Sequence, residues 1–376
     1  MATTTRILHV LTGGGVGGTQ RYVQSLCRYH DRSRFRVYVC VLMEGGTVSR
    51  EIANMGVEVF VLNMSTGFDL PRVWRLFTLI RRLGIDIVNI HSQTPLAKVC
   101  CVLSNARRVI QTDHGTTVGS PTKRKRRVVF VNRLLTRYID HFVAISKGME
   151  RSLATREHVP PSKMTLIYNG VDVDAVASLQ VDREDYKRRL GLRPGTPVIG
   201  MVGRISFEKR YPLLLETLAV LKKQGVEFGG LIIGDGPQRQ EIDALVDALS
   251  LRDRVILLGE RADVHELLKI MDVFAFSSAG EAFSITVLEA MASQIPVVAF
   301  DVEGVNEAVV QNETGFLVPY GDVDALAGKL RLLLENRAIA ESMGMAALKR
   351  TRERFELKNN IRELEKLYEK CPLGSP

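Results

Sequence analysis

The 376-residue sequence predicts an α/β protein made of two doubly wound halves in tandem. Three observations predict it. Short β-branched runs alternate with helix-length amphipathic segments from end to end, the pattern of a parallel sheet with crossover helices. One polar, Pro-containing stretch interrupts the alternation, from Glu157 through Asn169-Gly170-Val171-Asp172 to Pro194-Gly195-Thr196-Pro197, after which it restarts. The length is more than twice the ~150 residues of an ordinary domain.

The elements follow in order. Ile7–Leu11 is a short apolar run before a glycine cluster, which reads as a buried first strand and not as a signal peptide. Tyr22, Val23 and Leu26 carry the first helical pattern. Strands are expected at Arg36–Met43, Val57–Leu62, Ile85–His91, Arg108–Asp113 and His141–Ile145. The second series is Val198–Val202, a helix over Pro212–Gln224, Gly230–Ile233, a helix from Gln238, Val255–Leu258, Val273–Phe276, a helix through Glu289, and Pro296–Phe300. From Asp322 the pattern is helical to the end, with Leu326, Leu330, Leu333 and Leu334 on one face. The expected domains are 1–180, 181–355 and a closing helical segment, 356–376.

Composition excludes several classes. Hydrophobic residues at 45% and charged residues at 25% exclude wholesale disorder. No stretch approaches the ~20 apolar residues of a spanning helix. The five cysteines form no C-x-x-C pair and have no histidine at zinc-finger spacing, so reduced cysteines of a cytoplasmic protein are expected, with no metal site. Charge is lopsided. Residues 1–180 hold 25 Lys and Arg against 12 Asp and Glu, residues 181–376 hold 26 against 30, and the whole chain is +9. A basic half beside a mildly acidic one predicts different partners for the two, with phosphates, nucleic acid or an anionic bilayer open to the basic one.

Three motifs carry chemistry. Gly13-Gly14-Gly15-Val16-Gly17-Gly18 sits between the first strand and the first helix, where unpaired N–H groups and the helix dipole suit a phosphate. Read literally, it also satisfies the dinucleotide fingerprint, but the ribose-binding acid expected about 20 residues on is poorly met by Glu44. Gly203-Arg204-Ile205-Ser206-Phe207-Glu208-Lys209 follows a strand, placing a forked donor and a point charge at the rim where α/β sheets bind ligands, a combination that suits a diphosphate. Glu281 lies in a loop and Glu289 about two turns into the following helix, where carboxylates would bind sugar hydroxyls while neighbouring amides take phosphate.

Together these residues resemble the retaining, glycogen-synthase-like group 1 glycosyltransferases of family 4, which have the GT-B fold. The resemblance rests on Gly17-Gly18-Thr19-Gln20-Arg21, Thr112-Asp113-His114-Gly115, Asn169-Gly170-Val171-Asp172, Gly203-Arg204 with Lys209, Gly234-Asp235-Gly236-Pro237, Glu281-x7-Glu289, Pro296-Val297-Val298 and Thr314-Gly315-Phe316-Leu317-Val318. It implies two Rossmann-like domains facing a cleft, with the last helix crossing back to the first domain and a hinge after Asn169. It further implies a nucleotide-sugar donor, a UDP-sugar or else GDP-mannose, and a hydroxyl acceptor. Arg204 and Lys209 would hold the diphosphate and stabilise the leaving nucleotide, Glu281 would hold the donor sugar, Glu289 the ribose, and His114 would meet the sugar near the reacting carbon. Gly17, Gly18, Gly203, Gly234, Gly259, Ala282, Phe283, Ser284 and Ile285 would complete the donor site. Leaving-group charge is stabilised by cations and amides, and the resemblance implies front-face transfer without a carboxylate nucleophile. No metal or other cofactor is expected. Asp172-Val173-Asp174 matches the D-x-D letters of metal-dependent transferases, but its place in the linker reads as structural.

Departures from the family pattern are Gln20 for Glu, Ala282 and Ser284 for Gly, and Arg210 and Gln294 where Gly is common. The basic half adds Lys123, Arg124, Lys125, Arg126 and Arg127 before an apolar run, and Pro71–Arg82 with the sole tryptophan, Trp74. With Arg21 and His91, these form the expected acceptor or membrane side. A basic amphipathic helix can lie on an anionic bilayer, so a peripheral position at the inner face of the membrane is one expectation. Core packing with solvated charges is the other, and no nucleic-acid motif accompanies the charge. Two alternative functions stay open, a nicotinamide-dependent dehydrogenase and a non-catalytic sugar-nucleotide-binding protein.

Overall fold

The computed structural model describes residues 4–67, 69–115, 130 and 132–370. The basic run Lys123–Arg127 lies outside the described residues. The chain divides into two compact units, Met1–Asn169 with Lys358–Pro376, and Gly170–Leu357.

Among the described residues, the first unit holds a parallel seven-stranded sheet. Its strands are β1 (Thr5–Leu11), β2 (Phe35–Val41), β3 (Glu58–Val61), β4 (Ile87–Ile90), β5 (Arg108–Asp113), β6 (His141–Ala144) and β7 (Met164–Leu166), in spatial order β3-β2-β1-β4-β5-β6-β7. The order reverses at β1, as in doubly wound folds. Ile7, Leu8, Val10 and Leu11 of β1 are buried, and so is every residue of β4, because helices cover both faces of such a sheet. The helix Gly18–Tyr29 follows β1 and buries Tyr22, Val23, Leu26 and Cys27. The final helix, Leu357–Lys370, packs into this unit from Lys358 on. Asn360 Nδ2 donates to the Tyr168 carbonyl at 2.9 Å, Asn89 Nδ2 donates to the Tyr368 hydroxyl at 2.7 Å, and Glu365 Oε1 accepts the Asp31 N–H at 2.9 Å.

The second unit holds β8 (Val198–Val202), β9 (Gly229–Ile233), β10 (Val255–Gly259), β11 (Val273–Phe276), β12 (Val297–Phe300) and β13 (Gly315–Val318), all parallel, in spatial order β10-β9-β8-β11-β12-β13. The helix Val323–Glu335 buries Leu326, Leu330 and Leu333, while Leu334 stays half-buried. Residues 170–180, placed with the first domain on sequence, pack instead in this second unit, as do Glu356 and Leu357. Val171 N–H donates to the Phe355 carbonyl and Leu357 N–H to the Val171 carbonyl, each at 3.0 Å, which ties the two chain passages together. Val173 and Val176 of the helix Val173–Ala177 are buried. Asp172 caps that helix by accepting the Ala175 N–H at 3.1 Å, and Asp174 pairs with Arg352 at 3.3 Å, so both acids of the D-x-D letters have structural partners.

Candidate active site

In the second unit, the candidate residues collect at the carboxyl ends of β8, β9 and β11. Gly203 and Arg204 follow β8. The loop after β9, Gly234-Asp235-Gly236, lies against them. Gly203 N–H donates to the Ile233 carbonyl at 2.9 Å, and Ile205 N–H to the Asp235 carbonyl at 2.9 Å. Gly234 adopts φ +131°, and a Cβ there would sit 2.1 Å from the Gly203 carbonyl oxygen, so only glycine permits this crossing. The Arg204 side chain is exposed and makes no hydrogen bond or close ion pair among the described residues, while its charge helps to hold the nearby Glu208 carboxyl below its usual range.

Lys209 closes a short 3-10 turn, Phe207–Lys209, and its Nζ donates to Glu281 Oε1 at 2.5 Å. Both side chains are only 16% exposed. Ser278 Oγ also donates to Glu281 Oε1, at 2.7 Å, and Lys209 Nζ sits 5.0 Å above the Phe276 ring. The carboxylate is thus held by two donors, and the ammonium lies over an aromatic face. The Glu281 loop is pinned from behind. Glu281 N–H donates to the Glu303 carbonyl at 3.1 Å, and a Cβ on Gly304 (φ +83°) would meet the Glu281 carbonyl oxygen at 2.2 Å.

The helix Ile285–Ala292 begins after Ser284, whose side chain makes no capping bond to it. Its first-turn N–H groups point out of the helix, as at any α-helix start. Glu289 lies on this helix, and its Oε1 meets His265 Nε2 at 3.2 Å. Phe283 is buried against Phe355, with ring centroids 5.3 Å apart, so its side chain packs as core and not toward a ligand. Gly259 ends β10, with its carbonyl accepting the Gly234 N–H at 2.7 Å. Two further motifs of the resemblance are scaffold. Pro296-Val297-Val298 and Thr314–Val318 supply the adjacent strands β12 and β13.

In the first unit, the glycine cluster links β1 to the helix Gly18–Tyr29, with Gly17 at the N-cap. Gly14 donates its N–H to the Glu44 carbonyl at 3.0 Å and accepts from Ser49 N–H at 3.1 Å, whereas a Cβ on Gly13, Gly15 or Gly18 would meet nothing within 4 Å. Arg21, expected on the acceptor or membrane side, is paired with Glu51 at 2.5 Å and bonded to Gln24 at 2.8 Å. His91 was also expected beside an acceptor. It is buried, with Nε2 against His9 Nδ1 at 3.0 Å and Nδ1 against His114 Nε2 at 2.9 Å, so neither ring nitrogen remains for one.

His114 itself is half-buried after β5, its ring 5.1 Å from Tyr22 in an edge-on contact. Burial pushes its pKa down to about 3, so it is neutral at physiological pH. Beside it, Asp113 accepts the Gly115 N–H at 2.9 Å. Behind Asp113 runs a buried polar cluster that sequence reasoning missed. Lys98 Nζ donates to Gln93 Oε1 at 2.6 Å and to Asn132 Oδ1 at 2.7 Å, and Asn132 Nδ2 donates to Glu157 at 2.8 Å. Burial lowers Lys98 to about 8 and raises Glu157 to about 7. His265 and His9 were missed as well. His9 left one trace, a polar residue within the apolar run Ile7–Leu11. Among the described residues, no group of three or more His, Cys, Asp or Glu is arranged to hold a metal ion.

Two parallel, doubly wound α/β units, each with glycine-rich loops at strand ends, define the GT-B class of fold. Two family models then match in tandem, Glycosyltransferase Family 4 over residues 16–175 and Glycosyl transferases group 1 over residues 182–350. The chain belongs to these family 4, group 1 glycosyltransferases. It is 26% identical to N-acetyl-alpha-D-glucosaminyl L-malate synthase of Bacillus anthracis, over 80% of this chain and 79% of the relative. It is 27% identical to the UDP-Gal:alpha-D-GlcNAc-diphosphoundecaprenol alpha-1,3-galactosyltransferase of Escherichia coli, over 75% of each chain. Among solved structures, Anabaena HepE in complex with UDP and glucose superposes with a TM-score of 0.86 at 22% identity, covering 97% of this chain and all of the other, a likeness of fold.

Proposed function

We propose that this glycosyltransferase takes its sugar from a UDP-sugar and delivers it, with retention of anomeric configuration and without a metal ion, to a hydroxyl acceptor of glycolipid or envelope polysaccharide assembly. The observation that carries the reading is the Lys209–Glu281 pair beside the unpaired Arg204, at the strand ends where the helix Ile285–Ala292 begins. Arg204, Lys209 and the first-turn amides supply the charge a departing diphosphate requires. The carboxylate of Glu281 suits donor-sugar hydroxyls and that of Glu289 the ribose. The acceptor oxygen bonds to the anomeric carbon as the bond from that carbon to the β-phosphate oxygen breaks, and the acceptor proton passes to the departing phosphate. That route uses no enzyme nucleophile, in keeping with the family resemblance. UDP in the HepE complex and UDP-galactose in the name of the E. coli relative support the donor base.

We also propose that the first unit meets an anionic lipid surface through the helix Leu70–Leu83. Leu70 and Trp74 are 66% and 64% exposed, with Arg75, Arg81 and Arg82 on the same exposed side. The undecaprenol-linked acceptor in the name of the E. coli relative favours this reading. Among the described residues, no helix is long and apolar enough to cross a membrane.

Calorimetric titration with UDP-glucose, UDP-N-acetylglucosamine, UDP-galactose, GDP-mannose and NADH, in EDTA, tests the donor. Saturable binding of one UDP-sugar is expected. A GDP-mannose response alone would move the base assignment, and NADH binding alone would overturn the reading.

A further inference from the structure

The buried histidines of the first unit form a hydrogen-bonded line. His9 lies within β1, His91 follows β4 and His114 follows β5, and these three strands are neighbours in the sheet. His9 Nδ1 meets His91 Nε2 at 3.0 Å, and His91 Nδ1 meets His114 Nε2 at 2.9 Å. A neutral imidazole has one N–H and one lone pair, so both links must be polarised in the same direction. The protons run either outward, from His9 to His114, or inward.

The inner end selects between them. His9 Nε2 is buried and has no hydrogen-bond partner among the described residues. With inward polarity this atom would carry an N–H with no acceptor. With outward polarity it carries only an unused lone pair, and orphaned buried donors are rarer than under-used acceptors. The neighbouring ring, His30, stacks on His9 with centroids 5.8 Å apart and is itself committed through Nδ1 to Glu365 Oε1 at 3.0 Å. Burial lowers the basicity of His9, His91 and His114 alike, which keeps the line neutral near pH 7.

We infer that His9 and His91 are positioning residues that hold His114 as the neutral tautomer protonated on Nδ1, so that it offers the substrate a hydrogen-bond donor and not a base. The inference rests on the reading of His114 as a sugar contact. It gives that contact a direction, an N–H toward a sugar or acceptor oxygen. It also leaves proton removal from the acceptor to the departing phosphate, since the lone pair of His114 Nε2 is already taken by His91.

The test is two-bond 1H–15N correlation NMR on the full-length, 15N-histidine-labelled protein without ligand at neutral pH, with the His114 signals identified by their loss in His114→Gln. A pyrrole-like Nδ1 and a pyridine-like Nε2 are expected for His114. A proton on Nε2, or an imidazolium, would overturn the inference on the parent protein alone. In His9→Asp a carboxylate acceptor replaces the donor at the inner end, the polarity should reverse, and His114 should shift toward the Nε2–H form, with kcat down about tenfold as the hydrogen bond offered to the substrate is lost. In His9→Asn the amide N–H stands where Nδ1–H was, and it should keep the parent tautomer and most of the turnover. In His9→Leu the inner nitrogen of His91 is left with only an unused lone pair, so the parent tautomer should persist. A parent tautomer in His9→Asp, folded as read by circular dichroism, or an Nε2–H form in His9→Leu, would remove His9 from the role. A parent tautomer as expected together with full activity of His114→Gln would instead overturn the sugar-contact reading and leave the polarity of the line intact.

Discussion

The two units prepare their candidate sites in opposite ways. In the second, the functional groups are charges at the rim of the sheet. Arg204 is exposed and unpaired, while Lys209 and Glu281 neutralise each other under partial cover. In the first, whose sequence is the basic one, the candidate groups are neutral rings inside the fold, while described cations such as Arg75, Arg81 and Arg82 lie on the exposed side of the helix Leu70–Leu83 and Arg21 is paired with Glu51. The difference teaches that net charge is a poor guide to local chemistry, since the half with the negative balance is the one that gathers Arg204 and Lys209 at its strand ends. A diphosphate is met by groups that keep their charge because they stay near solvent or hold a counter-ion. Orientation of a neutral ring, by contrast, is achieved by burying it against other neutral rings.

The sharpest way to break this comparison is to remove the cations. Arg204→Ala with Lys209→Ala should lower transfer by about a thousandfold or more, with the fold retained, as read by donor turnover and circular dichroism. Turnover within about tenfold of the parent would show that the rim charges are not the leaving-group clamp.

A second prediction concerns acid. The folded pKa values of His9, His91 and His114 lie below 6.5, so the unfolded chain binds more protons as pH falls from 6.5, and each histidine costs up to about 1.4 kcal/mol of stability per pH unit. Glu157, raised by burial to about 7, acts the other way between 4.5 and about 7, where the folded state holds the extra proton. Denaturant unfolding at a series of pH values should therefore show stability falling below pH 6.5 and falling most steeply below 4.5, where Glu157 no longer opposes the histidines. Constant or rising stability over that range would mean that the line is not neutral in the fold.

Trp74→Ala should weaken binding to vesicles containing anionic lipid several-fold, since the ring is a large part of the apolar face that helix exposes. Vesicle flotation that is equal for parent and variant would return the segment to an ordinary solvated face.

The smallest expected effect is at Gln294, which holds φ +64° just past the helix Ile285–Ala292. Gln294→Gly should relieve about 1 kcal/mol of left-handed strain and raise the melting temperature by a few degrees at most. A lower melting temperature would mean that the longer side chain makes a compensating contact.

Much of this was legible from particular residues. Arg210 and Gln294 stood out as side chains where the family commonly has glycine, and both have positive φ. Lys209 and Glu281 were each singled out, yet their ion pair was not, because 72 residues separate them. The unit edges were misplaced because Val171 and Phe355 are joined by backbone hydrogen bonds that leave no mark on side-chain pattern. His91 was placed on the acceptor or membrane side, because its partners His9 and His114 are 82 and 23 residues away in the chain and meet it only in the assembled sheet.

The sequence by itself determined the alternation of strand and helix, the two sheets and the chemical types gathered at their strand ends, since period, turn residues and charge are local properties written in neighbouring positions. Tertiary structure alone decided which of those groups meet. Strand order brings residues 9, 91 and 114 into one line although none is near another in the chain, and burial makes all three neutral. The physical reason is that hydrogen-bond direction and protonation depend on the neighbours and dielectric that only the assembled sheet provides.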